Sequence, residues 1–125
     1  MKRGIIIISE NGTVSMPTEE VWMSMDEIAD MLGVFSHLVR KAIHVIYKGR
    51  ELYEHLTSKR IPFGKGIFVD VYDLDLIILV AYRIQTTQGK AFIEYLHKRL
   101  YSVHKEKPLY VMIGSNRPLS GSRYN

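Results

Sequence analysis

The fold is decided by residues 25–44, which read MDEIADMLGVFSHLVRKAIH. Ser24, just before this stretch, predicts a helix N-cap, and Glu27 stands at the offset of a capping box. The first helix should end at Gly33, because glycine adopts the left-handed conformation that stops helices. A second helix should follow over residues 36–47. Two short helices joined by a glycine turn predict a helix-turn-helix unit.

The spacing of small and apolar residues inside this stretch supports that interpretation. Such a unit needs a small residue where the helices cross, an apolar residue three positions later, and then a glycine for the turn. Ala29, Leu32 and Gly33 fill these three positions. The core shared by the two helices should consist of Ile28, Leu32, Val34, Val39 and Ala42.

The second helix has one strongly basic side. At about 100° per residue, its polar side chains fall within one sector of about 140°. These are Ser36, His37, Arg40, Lys41, His44 and Lys48. No acid lies among them, and the apolar residues Leu38, Val39, Ala42, Ile43, Val45 and Ile46 occupy the opposite sector.

This basic side predicts that helix 36–47 inserts into the major groove of double-stranded DNA. Arginine forms paired hydrogen bonds with guanine, and lysine or serine contacts phosphates or bases. The N-terminal half of such a helix lies nearest the bases. An amphipathic helix whose solvated side happens to be basic is the simpler alternative.

The rest of the chain predicts an α+β fold. Residues 4–9 and 13–16 should form an N-terminal β-hairpin around Asn11-Gly12. Residues 60–63 and 67–71 should form a second hairpin, interpreted as a wing. Its tip, Gly64-Lys65-Gly66, lets Lys65 reach a phosphate or a minor groove, although an ordinary surface hairpin is equally compatible.

Two further helices should complete the domain, over residues 74–83 and 87–104. A last strand is expected over residues 109–113, and residues 114–125 should form a mobile tail. The predicted fold class is therefore a winged helix-turn-helix with an N-terminal β-hairpin, a wing hairpin and two further C-terminal helices. It should form a single domain over residues 1–113.

Composition and charge favour an ordinary globular protein with a polyanionic partner. The 125 residues are 46% hydrophobic, which suits one compact domain with a core. The net charge of +4 is concentrated, since residues 31–66 carry seven basic and two acidic side chains. The chain contains no cysteine, which excludes disulfides and thiolate chemistry. No apolar stretch approaches the roughly 20 residues of a membrane span, so we expect a cytoplasmic protein without membrane contact.

No arrangement of residues indicates an enzyme. The five histidines do not form the His-Glu-x-x-His metal motif. Paired carboxylates are explained by solvation or helix capping, and Gly64-Lys65-Gly66 lacks the length of a phosphate-binding P-loop. We expect no catalytic residues, no metal or other cofactor, and no small-molecule substrate.

Several separated segments resemble the RhuM family of bacterial proteins, which are often linked to mobile elements. They are Val21-Trp22, Met25–Val34, Ile43, Ile46–Leu52, Tyr72–Arg83, Gly89 and Phe92. The resemblance covers residues 21–100, about two-thirds of the chain. It implies a winged-helix DNA-binding module, with a role in transcription regulation or mobile-element maintenance.

The chain departs from the family pattern at several positions. Phe35 stands where the family favours serine, which moves the expected cap of the second helix to Ser36. Ala81 replaces a usual glycine, Tyr95 stands near the position of a family tryptophan, and the long C-terminal region of typical members is missing.

Two kinds of function stay open from the sequence. The first is sequence-specific DNA binding by a homodimer, because one small domain offers few base contacts. The helix over 87–104 or the isoleucine-rich strand could provide the dimer contact. The second is a protein-protein interaction or dimerisation module on a winged-helix scaffold, in which Phe35 and Leu38 dock a partner. Burial of those two side chains against the first helix would remove the reason for the second.

Overall fold

A computed structural model describes residues 2–106 of the chain. Within them the fold is α+β, with five helices and two small antiparallel sheets. The elements in chain order are β1 (Ile7–Ile8), β2 (Val14–Ser15), β3 (Met23–Ser24), α1 (Met25–Leu32), α2 (Ser36–Lys48), α3 (Glu54–Thr57), β4 (Ser58–Pro62), β5 (Phe68–Tyr72), α4 (Leu74–Arg83) and α5 (Thr87–Glu106).

The described residues divide into two units, with the boundary between Glu94 and Tyr95. The predicted single domain over residues 1–113 stays a prediction. The strand expected over 109–113 and the tail expected over 114–125 lie outside the described residues. Helix α5 continues to Glu106, two residues beyond the predicted end. Over residues 2–106, no helix has both the length and the apolar character needed to cross a bilayer.

The predicted N-terminal hairpin is confirmed. Strands β1 and β2 pair antiparallel, with Ile8 opposite Val14. The turn between them contains Gly12 at φ +87°, a left-handed conformation that glycine adopts without steric cost. Before the hairpin, the Gly4 N–H donates to the carbonyl of Glu20 at 2.8 Å, which joins the chain start to the segment that leads into β3.

The second predicted hairpin is confirmed, with shifted ends. Strands β4 and β5 pair antiparallel from Ser58 opposite Tyr72 to Pro62 opposite Phe68. Strand β4 therefore starts two residues before the predicted Arg60. A third strand, β3, pairs with the other edge of β5, so that the sheet order is β3-β5-β4. The sequence did not indicate β3, because two residues are too few to show a strand alternation.

Helix α1 forms as its termini predict. The Ser24 side chain accepts the Glu27 N–H at 3.2 Å, and the Glu27 carboxylate accepts the Ser24 N–H at 2.7 Å. Both halves of the capping box are therefore present. Arg3 adds a two-pronged ion pair to the same carboxylate, at 2.7 and 3.1 Å. The helix ends at Gly33, which adopts φ +71°.

Apolar side chains from α1, α2 and α4 form most of the core. Of the five residues predicted for the α1–α2 core, Ile28, Leu32, Val39 and Ala42 are buried, whereas Val34 is half-buried. Helix α4 packs against α2. It adds the buried side chains Leu76, Ile77, Val80 and Ala81. This packing fixes the apolar side of α2 and therefore determines which of its residues face outward.

Trp22 anchors the base of the β4–β5 hairpin. The Lys59 ammonium lies 4.1 Å from the centroid of the half-buried indole, a cation–π contact. The indole N–H is buried and has no partner among the described residues. The segment before α1 is thereby attached to the start of β4.

Candidate nucleic-acid interface

The outward side of α2 carries the predicted basic residues. Val39, Ala42, Ile43 and Ile46 are buried at helical spacing and fix the orientation of the helix. The opposite side is consequently turned outward. Its side chains His37, Arg40, Lys41, His44 and Lys48 are all exposed, and Ser36 is half-buried.

The cations of α2 are not neutralised within the described part of the chain. The ion pairs recorded there join Arg3 to Glu27, Arg60 to Asp70, and Arg83 to Glu51. None of them involves a residue of α2. The basic side is therefore a local excess of positive charge, which attracts a polyanion.

The N-terminus of α2 differs from the prediction. The expected cap at Ser36 is wrong, because Phe35 occupies the N-cap position and makes no side-chain capping hydrogen bond. Ser36 is instead the first helical residue, and its hydroxyl donates to the carboxylate of Asp26 on α1. The first turn of α2 contains no acid. Its N–H groups are therefore not satisfied by a capping side chain.

An aromatic pair stands at this end of the helix. Phe35 is 77% exposed, and its ring stacks with the His37 imidazole at a centroid distance of 6.0 Å and an interplanar angle of 16°. The sequence singled out Phe35 as a departure from the family pattern and as a possible protein contact. Its position in the sequence was the signal that could have indicated an exposed ring, because an aromatic residue stands where a small hydroxyl residue would cap the helix.

The basic side of α2 borders an open cleft of about 410 Å³. Arg40, His44 and Lys48 line it from α2, Tyr72 from β5 and Glu54 from α3. Burial raises the pKa of Tyr72 to about 12, so its phenol stays protonated at neutral pH. The cleft thus combines three basic side chains with one carboxylate.

Lys65 lies apart from the other predicted residues, at the tip of the β4–β5 hairpin. It is exposed and stands between Gly64 and Gly66, whose φ angles are +99° and +67°. Both glycines border open space, since a Cβ at either would meet nothing within 4 Å. The structure therefore brings six of the seven predicted residues together on α2 and places Lys65 on a separate element.

Part of the expected apolar side of α2 is exposed. Leu38 and Val45 were assigned to that side, yet they are 39% and 42% exposed. The helical positions explain this, because both lie at the border next to Lys41. Phe35 and Leu38 are thus not buried against α1. The hypothesis that these two side chains dock a protein partner therefore stays open.

The described residues bring no three potential metal ligands of the His, Cys, Asp or Glu types together. Scans of family models, curated proteins and solved structures returned no match to this chain.

Proposed function

We propose that this chain is a DNA-binding protein that inserts α2 into the major groove. The observation that carries the proposal is the exposed basic side of α2, where Arg40, Lys41 and Lys48 have no carboxylate partner among the described residues. A surface with this charge gains free energy by releasing the counterions condensed on DNA phosphates.

The arrangement of elements supports a winged helix-turn-helix as the scaffold. Helices α1 and α2 pack together across a short turn at Gly33, and the β4–β5 hairpin supplies the wing. The resemblance to the RhuM family points the same way, toward transcription regulation or mobile-element maintenance. In this scheme the elements behind α2 hold it rigidly while its outer side meets the groove.

In this proposal the side chains of α2 have separate roles. Arg40, near the middle of the exposed side, would form the paired hydrogen bonds to a guanine edge. Lys41 and Lys48 would contact phosphates, as would Lys65 at the hairpin tip. Ser36 would act only as an acceptor, because its hydroxyl hydrogen is already donated in a hydrogen bond to the Asp26 carboxylate.

A homodimer would double the number of base contacts. The described unit presents one basic helix side, and a second copy related by a two-fold axis would read a second half-site. The chain should therefore sediment as a dimer at the concentrations at which it binds DNA, and its selected sites should be inverted repeats.

Charge reversal on α2 tests the proposal. Duplexes selected from a random pool would be titrated with the wild type, the double variant Arg40→Glu and Lys41→Glu, and the control Lys90→Glu and Lys98→Glu. The control changes the net charge equally at two exposed lysines of α5. We expect the α2 variant to bind at least about 30-fold more weakly, given roughly 1–3 kcal/mol for each of the two lost contacts.

A salt series adds a second criterion. The wild type should lose affinity with a slope of about −0.9 in log K against log salt for each neutralised phosphate, and the α2 variant should show a shallower slope. The proposal is wrong if the wild type binds no duplex at low salt, or if the two double variants weaken binding equally.

Exposure of Phe35, Leu38 and Val45 favours a second candidate, a protein-interaction or dimerisation surface on the same helix. Phe35→Ser with Leu38→Ser should then abolish capture of a protein partner, while Arg40→Glu leaves that capture intact. Competition between the captured protein and duplex DNA would locate both on α2. A partner that is still captured by the Phe35 and Leu38 variant would exclude this candidate.

A further inference from the structure

The tip of the β4–β5 hairpin is apolar on both faces. Pro62 pairs with Phe68, and one step further the Phe63 N–H donates to the Ile67 carbonyl at 2.7 Å. Because side chains alternate along a strand, Pro62 and Phe68 share one face, whereas Phe63 and Ile67 share the other. Phe63, Ile67 and Phe68 are 60%, 59% and 60% exposed.

These side chains do not belong to the core of the described unit. Burial declines toward the tip along each face of β5, from buried Val71 to half-buried Val69 on one face, and from buried Tyr72 to exposed Asp70 and Phe68 on the other. At the turn itself, Gly64 and Gly66 border open space. A single exposed apolar residue is ordinary, but a cluster of large ones at the end of a projecting ribbon marks a contact surface.

The charges around the tip indicate the kind of partner. Lys65 lies at the apex without a carboxylate partner among the described residues, and the acid of the hairpin, Asp70, is occupied by Arg60 at 3.2 Å. The tip therefore presents apolar groups around a cation. A duplex offers the complementary combination, since stacked bases lie between two rows of phosphates.

The base of the hairpin lies beside the proposed reading helix. Tyr72, at the end of β5, lines the same cleft as Arg40 and Lys48. From there the five residues of β5 extend by about 3.3 Å each. A ribbon of this length exceeds the roughly 12 Å width of a major groove. The hairpin tip can therefore reach the adjacent minor groove of a duplex that is bound on α2.

We propose that the hairpin tip is a wedge that enters the minor groove and inserts Phe63 or Phe68 between neighbouring base pairs. This inference rests on the proposed function. Apolar side chains inserted in this way unstack a base step and kink the duplex by about 20–90°. Lys65 would contact the phosphates beside the opened step. The protein would thereby bend the DNA that α2 binds.

The test separates bending from binding. Duplexes recovered by selection with the wild type would carry a donor and an acceptor dye at their ends, together with 2-aminopurine at their TA steps, which unstack most readily. Binding of the wild type should bring the dyes closer and raise the 2-aminopurine emission.

Three variants provide the comparison, all at exposed positions, so that folding is preserved. Phe63→Ser combined with Phe68→Ser removes the inserting ring from both faces, and Ile67→Ser removes the apolar side chain beside Phe63. Ile7→Ser on β1 is the matched control, because Ile7 is 61% exposed and lies outside the hairpin. We expect the double variant to lose the bend with about tenfold weaker affinity, and Ile7→Ser to change neither.

The possible failures are distinguishable. If the wild type binds its duplexes without bending them, or if the double variant bends them fully, the wedge is wrong and the proposed function stands. If the wild type binds no duplex, both are wrong. If the double variant instead loses self-association in sedimentation, or binding to vesicles of anionic lipid, while DNA bending is unchanged, the tip contacts another copy or a membrane and the wedge is likewise overturned.

Discussion

Helices α1 and α2 are neighbours in the chain and in space, yet they are stabilised in different ways. Helix α1 has a complete capping box at Ser24, an ion pair from Arg3 onto that box, and a left-handed glycine at its end. Helix α2 has no side-chain cap and no acid in its first turn. Its stabilisation comes from buried side chains such as Val39 and Ile46.

The difference indicates that α1 supports α2. Helix α1 satisfies its termini within the chain, so it can act as a fixed support. Helix α2 has no side-chain cap at its N-terminus and no ion pair for its cations among the described residues, at some cost in stability. The cost is tolerated because the buried side of α2 is held by α1 and α4.

The largest expected effect comes from breaking the contact between the two helices. Leu32 is fully buried at the end of α1, so Leu32→Ala should lower the free energy of unfolding by about 3 kcal/mol. The matched control is Leu38→Ala on α2, where the side chain is partly exposed and the loss should stay below about 1 kcal/mol. Urea denaturation measures both values. Equal losses would mean that α2 is held by its outer residues rather than by α1.

The next effect comes from removing the cap of α1. Glu27→Ala deletes the capping hydrogen bond and removes the carboxylate partner of Arg3, so it should cost about 2 kcal/mol. Asp30→Ala changes an exposed carboxylate on the same helix and should stay within about 0.5 kcal/mol.

The same carboxylate makes the stability dependent on pH. Burial alone would raise the pKa of Glu27, but hydrogen bonds from Arg3 and Ser24 outweigh it and lower that pKa below its ordinary value of 4.5. A lowered pKa in the folded state gives stability that is complete above the ordinary value and is lost as the pH falls through the folded one. The wild type should thus lose stability below about pH 4.5, and Glu27→Gln should lose less. Parallel curves would contradict the assignment.

A smaller effect is expected at the glycines that end the two helices. Gly33 has φ +71°, so Gly33→Ala should cost about 1 kcal/mol, and its Cβ would also displace the Gln88 side chain. Gly49, at the end of α2, has φ −80° and should tolerate alanine within about 0.5 kcal/mol. Thermal unfolding of the two variants provides the comparison. A larger loss at Gly49 would show that α2, too, depends on its terminus.

The smallest effect should be a gain. Phe35→Ser gives α2 the cap that it lacks, at a position where little apolar surface is buried, and should raise the free energy of unfolding by about 0.5 kcal/mol. A threonine at the same position should act similarly, whereas alanine should give no gain. If serine destabilises the protein, the exposed phenyl ring contributes more to folding than its accessibility indicates.

The local parts of the fold were predictable from the sequence. The Ser24 box, the Gly33 stop and the basic side of α2 depend on residues within a few positions of one another. Their geometry follows from helix periodicity and from the hydrogen-bonding needs of helix ends.

The remaining features depend on contacts between distant residues. Pairing of β3 with β5 joins Met23 to Tyr72, and the ion pair on the α1 box joins Arg3 to Glu27. Neither has a periodic signature in the sequence. The wrong cap at Ser36 has a similar origin, because its hydroxyl found Asp26 of α1, ten residues earlier, instead of a neighbouring backbone N–H.

The cation–π contact of Trp22 has a practical consequence. This indole is the sole tryptophan of the chain, so the intrinsic fluorescence has a single source, and Lys59 at the root of the β4–β5 hairpin lies directly over it. Indole emission responds to the charge and polarity of its immediate surroundings. Any movement of the hairpin that displaces the ammonium group would therefore shift the emission wavelength. Trp22 is thus an intrinsic fluorescent probe of hairpin movement that needs no added label.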